Sequence, residues 1–299
     1  RAAQQALKDK GFDPGTIDRE LGWAARLGMN AARVYLHDLV WKNDASGFKD
    51  RIGRFLKMAS RHGIRTLLVI FDDCWNPRPR IGRQPAPIPG VHNSRWMQSP
   101  GRAAVNYPSR WQRLEKYVKD VVGSFGADDR VLGWDLYNEP GNRGQAMRTL
   151  PLLTQAFAWA RAAGPCQPLT SGIWWDNVEL SRFQVRNSDI ITFHNYGEPE
   201  ELAKQIAALK RLGRPLICTE WLRRDVSTVS GCLPVFRRER VGCLNWGLVS
   251  GKTQTIYPWR SPKNAQEPTL WFHDLLRRNG RPFRPAEIAL FRRMTGKRT

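Results

Sequence analysis

Along most of this chain a short apolar run is followed by an amphipathic segment, and that alternation restricts the fold to the α/β class. The apolar runs are Ala31 to Leu36, Arg65 to Phe71, Val131 to Tyr137, Leu169 to Ile173, Ile190 to His194, Pro215 to Thr219 and Gly242 to Trp246. Runs that are apolar throughout suit parallel strands covered on both faces. Between them the spacing predicts helices over Thr16 to Leu27, Phe48 to His62, Trp111 to Phe125, Leu150 to Ala163, Glu200 to Leu212 and Val226 to Arg240. Glycine closes a helix just before a strand in RLGMN, RHGIR and RLGRP, where a residue able to take positive φ is needed.

A chain of 299 residues with this repeat suits one (β/α)8 TIM barrel, a fold of about 250 residues, so residues 1–299 read as a single catalytic domain. The count is one strand short. Before Gly11 the residues AAQQALKDK look helical, so the first barrel strand is expected to be missing or diverged. Two segments after strands, Cys74 to Ser109 and Trp174 to Asn187, show no clear periodicity and are expected to be loops over the active face.

No apolar run approaches the roughly 18 residues of a membrane span, and the polar opening segment is no signal peptide. Any targeting segment would precede it, and a secreted or periplasmic location is the expectation. Five cysteines without a C-x-x-C pair suggest neither a disulfide scaffold nor a zinc site, although a Cys232–Cys243 bridge stays open. Cys218 and Cys243, in apolar segments, read as buried small hydrophobes. The formal charge of +21, from 48 Lys and Arg against 27 Asp and Glu, allows an acidic polysaccharide substrate or a polyanion. It is spread evenly along the chain, and no zinc finger, RNP-type aromatic motif or P-loop accompanies it, so nucleic acid is not the expected partner.

The segment VLGWDLYNEPGN carries the most chemistry, because its strand ends abruptly in Asn138, Glu139 and Pro140. In α/β barrels the C-terminal strand ends hold the active site. A carboxylic acid there can protonate a leaving oxygen, and Asn138 beside it can bond a sugar hydroxyl. A second strand, in PLICTEWL, runs directly into Glu220. Two such carboxylates about 5–5.5 Å apart permit a covalent glycosyl-enzyme intermediate, with Glu139 as acid/base and Glu220 as nucleophile. Seven tryptophans (Trp75, Trp96, Trp174, Trp175, Trp221, Trp246 and Trp259) lie at or just after strand ends, where rings can stack on sugar C–H faces. Trp75 and Trp246 are the candidates chosen for substrate contact. Asp72, Asp73 and His92 could be imagined around a metal, but no ligand spacing enforces it, and neither a metal nor any cofactor is expected.

The NEP and TEW motifs resemble the acid/base and nucleophile motifs of glycoside hydrolase clan A, especially family 5. Further segments match in order: Arg33 in AARVYLHD, His194 and Tyr196 in ITFHNYG, and Trp246 in CLNWG. Longer phrases such as FDPGTIDRELGWA and GVHNSRWMQSPG resemble a bacterial cellulase-like group often labelled 1,4-β-xylanase. The resemblance implies a retaining hydrolase of β-linked saccharides in which Arg33 and Tyr196 bond the nucleophile and His194 sits near the acid/base or the sugar. A guanidinium would favour the charged nucleophile, and burial would raise the acid's pKa. The rival expectation is a catalytically silent carbohydrate- or polyanion-binding barrel.

Overall fold

The computed structural model describes residues 12–174 and 176–296. The segment before Gly11, where a first strand was sought, and Trp175 lie outside the described residues.

Helix α1 (Pro14–Arg26) is capped by Asp13, whose side chain accepts from the Thr16 amide, and it leads into β1 (Ala31–Tyr35). Helices α2 (Asp38–Asn43) and α3 (Ala45–Arg61) precede β2 (Arg65–Asp72). After a long loop come α4 (Arg102–Asn106), α5 (Trp111–Phe125) and β3 (Val131–Asn138), then α6 (Leu150–Ala162) and a short β4 (Leu169–Thr170). The rest alternates α7 (Val178–Asn187), β5 (Ile191–His194), α8 (Pro199–Lys210), β6 (Leu216–Trp221), α9 (Val229–Glu239) and β7 (Gly242–Asn245), and closes with α10 (Pro285–Thr295). The helix-ending glycines Gly28, Gly63 and Gly213 have φ of 82°, 70° and 65°, as the sequence required.

All strand pairs are parallel, in a four-stranded sheet ordered β1-β2-β3-β4 and a three-stranded sheet ordered β5-β6-β7. An isolated parallel bridge from Ile173 to Phe193 joins the two sheets at β4 and β5, and β7 comes back alongside β1. Among the described residues no ladder hydrogen bonds link β7 to β1, and both strands are only partly buried there, while β2 and β3 are almost wholly buried. The fold is a (β/α)8 barrel with seven strands described. Its core divides accordingly: one cluster packs α1, α3, α5 and α6 on the first sheet, and another packs α8, α9 and α10 on the second.

Three expectations are corrected. The aperiodic segment after Trp174 holds helix α7, started by the Asn177 side chain accepting from the Leu180 amide; only Leu180 and Gln184 are buried, so no apolar stripe marks it. The strand expected to reach Ile173 pairs continuously only at Leu169 and Thr170. The helix expected from Val226 begins at Val229, where Thr228 caps it. All five cysteines are free, Cys218 is buried and Cys243 only partly so.

The loop after β2 and the segment after β7 (residues 246–284) brace each other. Gln254 donates to the carbonyls of Ile88 and Val91 and accepts from the Gly90 amide. Gly90, at φ 77°, lies so close to Ala265 that a Cβ would stand 2.3 Å from its nitrogen.

Candidate active site

The inward side chains of β1, β3, β5 and β6 converge at the C-terminal mouth of the barrel. Arg33 and Tyr35 are two residues apart on β1 and so share its inner face. The Arg33 guanidinium is almost fully buried and forks across the barrel: Nη1 donates to Glu220 Oε1 at 2.7 Å, and Nη2 donates to Asp135 Oδ2 at 2.6 Å and Asn138 Oδ1 at 2.7 Å. Burial alone would pull its pKa down, but Tyr35, Asp135 and Glu220 around it hold it charged. Tyr35 donates its hydroxyl to the same Oε1 at 2.8 Å, and Tyr196 donates to Oε2 at 2.9 Å. Burial raises both phenols well above their ordinary values, so both stay protonated donors.

Glu139 directly follows β3 at φ 44°, a left-handed conformation that costs a non-glycine residue about 1–3 kcal/mol and recurs at functional sites. The surrounding structure fixes this turn. Asp73 accepts from the Gly141 amide at 2.9 Å, the Thr149 hydroxyl at 2.6 Å and the Tyr137 hydroxyl at 2.9 Å. Asp72 likewise accepts from the Cys74 amide, Trp96 Nε1 and Asn138 Nδ2. Burial raises Asp72 to about 6 and Asp73 to about 7 against these donors. Both acids therefore serve as scaffolding beneath the site.

His194 links the two glutamates, with Nδ1 at 2.8 Å from Glu139 Oε1 and 3.6 Å from Glu220 Oε2. The two carboxylates on that side favour the tautomer with its proton on Nδ1. On its other oxygen Glu139 accepts from the Cys74 thiol at 3.2 Å and the Asn142 amide at 2.5 Å. Burial of Glu139 works to raise its carboxyl, as the sequence suggested, but the hydrogen bonds from His194, Cys74 and Asn142 outweigh it and hold the carboxyl below its ordinary value. The expected raised acid is thus corrected. The thiol itself is raised well above its ordinary value by burial and by Asp72 and Glu139 nearby, so it stays a neutral donor.

Atoms of Glu139, His194 and Glu220 lie within 4.8 Å of one another, close enough to suggest a cation. The Arg33 guanidinium already supplies the positive charge beside Glu220. A carboxylate oxygen of each glutamate thus lies within 4.8 Å of the other, a close approach that suits a covalent mechanism better than one that seats a water between the pair.

Of the residues proposed from sequence, Glu139, Glu220, Arg33, His194 and Tyr196 meet directly. Asn138 is there too, but its amide is engaged by Arg33, Asp72 and Cys74 and not turned toward a ligand. Trp246 stands edge-on to Tyr35 at 5.9 Å and to Trp96 at 5.5 Å, on the rim. Trp75 stacks on His92 at 5.3 Å and packs, like Trp246, against the Tyr35, Val69 and Trp96 cluster. Trp259 meets Tyr196 edge-on at 5.0 Å, and Trp174 donates to the Pro140 carbonyl. Trp221, by contrast, is fully buried between Phe236 and Phe291 in the helix layer. Strand alternation explains this, since Glu220 faces inward and its neighbour must face out. Tyr35, Asp135, Cys74 and Asn142 escaped the sequence reading. An aspartate inside the apolar run VLGWDLYN was the available signal for Asp135.

A parallel barrel with paired glutamates at the ends of two strands, each held by its own donors, defines a retaining glycoside hydrolase. The description Cellulase (glycosyl hydrolase family 5) matches residues 23–251, and the chain belongs to this family. In structure it is similar to a family 5 protein of Streptomyces cattleya in complex with Manβ1-4GlcNAc, at 14% identity and TM-score 0.64, over 96% of this chain and 76% of that one. It is also similar to the endo-β-1,4-mannanase of Thermotoga petrophila, at 13% identity and TM-score 0.64, over 98% of this chain and 74% of that one. At such identities the likeness is one of fold. Among curated proteins none matches the chain in sequence.

Proposed function

We propose that the chain, acting as one catalytic domain, cleaves a β-linked oligo- or polysaccharide by double displacement, with Glu220 as nucleophile and Glu139 as acid/base. A Glu220 oxygen attacks the anomeric carbon as the bond to the leaving oxygen breaks, and that oxygen takes the Glu139 proton. Water then attacks the same carbon, gives its proton to Glu139 and releases Glu220, with net retention. The observation that carries this reading is the approach of an oxygen of Glu139 to an oxygen of Glu220 within 4.8 Å.

The donor sets support the division of labour. Glu220 is held by Arg33, Tyr35 and Tyr196, all fixed on barrel strands or their ends, and so is aimed as a nucleophile. Glu139 is held partly by Asn142 on the adjoining loop and by the weak donor Cys74. A glycosidic oxygen seated beside Glu139 displaces a donor and excludes water, after which burial favours the protonated acid. The Glu220→Ala variant should lose hydrolysis of β-linked substrates and regain cleavage of the glycosidic bond with azide as the attacking group, releasing a glycosyl azide of inverted configuration. Full activity in that variant would refute the assignment. Saccharide binding by a folded wild type without turnover would support the silent-barrel alternative.

A further inference from the structure

Two arginines lie on aromatic platforms near the catalytic pair, one beside Glu139 and one beyond Tyr196, and the mechanism uses neither. The Arg143 guanidinium lies 5.4 Å from the ring centre of Trp75. Its neighbour Asn142 bonds Glu139, and Trp75 adjoins Cys74, which bonds Glu139 as well. Arg143 therefore sits beside the acid/base, where the leaving half of the substrate departs. It is exposed, its carbonyl accepts from Arg102, and no acidic partner is found for its side chain among the described residues. On the nucleophile side, Arg223 lies 5.5 Å from the ring centre of Trp259, the ring that packs on Tyr196. Arg223 also pairs with Asp225 at 3.0 Å, so Arg143 is the less satisfied charge.

A cavity beside Arg33, Tyr35 and Trp246, whose lining includes neither Glu139 nor Glu220, repeats the sign. The exposed charged side chains that residues 74–101 and 246–284 contribute to it are Arg80, Arg83, Arg95 and Lys252, all basic. A cation stacked on an indole keeps its planar fork available, and that fork matches a carboxylate or sulfate. A surface built to hold neutral sugar has no electrostatic use for such a group of exposed cations.

Resting on the hydrolase reading above, we propose that the substrate is an anionic β-linked glycan, bearing carboxylate or sulfate groups, and that Arg143 binds a charged unit on the leaving-group side. The test compares neutral β-linked polysaccharides with uronate-containing and sulfated ones at low and high salt. The expected result is a kcat/KM ratio, charged over neutral, above about ten at low salt that falls as salt screens the exposed cations. Arg143→Ala should lower that ratio about three- to tenfold, mainly through KM, with Arg143→Lys intermediate. The uronate and sulfate arms show which anion is read. Equal or better cleavage of neutral glycans, or an equal loss on both in the variant, overturns the proposal while leaving the hydrolase reading intact. If the wild type cleaves nothing, calorimetric binding of the same glycans to Glu220→Ala still decides it: preference for the charged glycan supports the proposal, and no preference overturns it.

Discussion

Arg33→Met removes the one cation among the inward-facing carboxylates. Asp135 is fully buried, its Oδ2 is held by Arg33, and its Oδ1 has no partner. Glu220 keeps Tyr35 and Tyr196 but loses its ion pair. Leaving a buried charge without its partner costs about 3–5 kcal/mol, and methionine fills much of the vacated volume, so a cavity adds little. Unfolding entropy of about 2.1 cal/mol/K per residue over 299 residues gives about 0.6 kcal/mol/K, so Tm should fall by about 5–8 °C. The sign with pH follows from Asp135, whose carboxyl burial already raises despite Arg33. Without the guanidinium it rises further, so the folded variant binds protons that the unfolded chain has released, and stability falls as pH rises. The deficit should therefore be larger near about pH 8 than near about pH 5. Urea unfolding at both pH values measures it, with Arg33→Lys as the control that keeps charge and loses the fork. A deficit below about 1 kcal/mol at both pH values would refute the claim that Arg33 neutralises this cluster.

Cys74→Ala deletes a donor to the Glu139 carboxylate, so that lowered carboxyl should climb back and carry the alkaline limb of kcat/KM upward by about 0.5–1 pH unit. Cys74→Ser should keep the limb near the wild-type position, and identical profiles for all three proteins would contradict the role. Asp73, raised to about 7 by burial, makes the folded state less stable as pH climbs from about 4 to 7, and Asp73→Asn should flatten that slope in thermal melts. An unaltered slope would place the titration elsewhere. Trp221→Ala should cost about 3–5 kcal/mol in denaturant midpoints while KM of the folded enzyme stays near wild type; a large KM change would mean that this ring reaches the cleft after all.

What the sequence revealed depended on whether a signal is periodic or geometric. The strands and their helices were legible because burial on both faces makes a strand continuously apolar, and glycine must close the helix before it. Glu139 and Glu220 were legible because polarity at a strand end interrupts such a run. Asp135 and Tyr35 were not singled out, because their significance lies in which side chains face each other across the barrel, and that depends on strand register. Asn142 and Cys74 reach Glu139 only because the chain turns through φ 44° at Glu139, a turn no motif announces. Helix α7 was missed because two buried positions in ten residues leave no stripe to read.

The same contacts that set up the chemistry also join the barrel's two sheets. Arg33 and Tyr35 belong to β1 of the four-stranded sheet and hold Glu220 on β6 of the three-stranded one. Glu139, at the end of β3, is held by His194 on β5. Ladder hydrogen bonds between β7 and β1 are lacking among the described residues, so the bonds from Arg33 and Tyr35 to Glu220 are among the contacts that tie the mouth of the barrel across that seam. The separation of the two glutamates is then a separation between sheets, and helix packing that moves one sheet against the other changes it directly. A substitution in the core beneath α1 or α10, remote from any sugar, should accordingly alter kcat before it alters KM, because the reacting geometry depends on sheet spacing more than ground-state binding does.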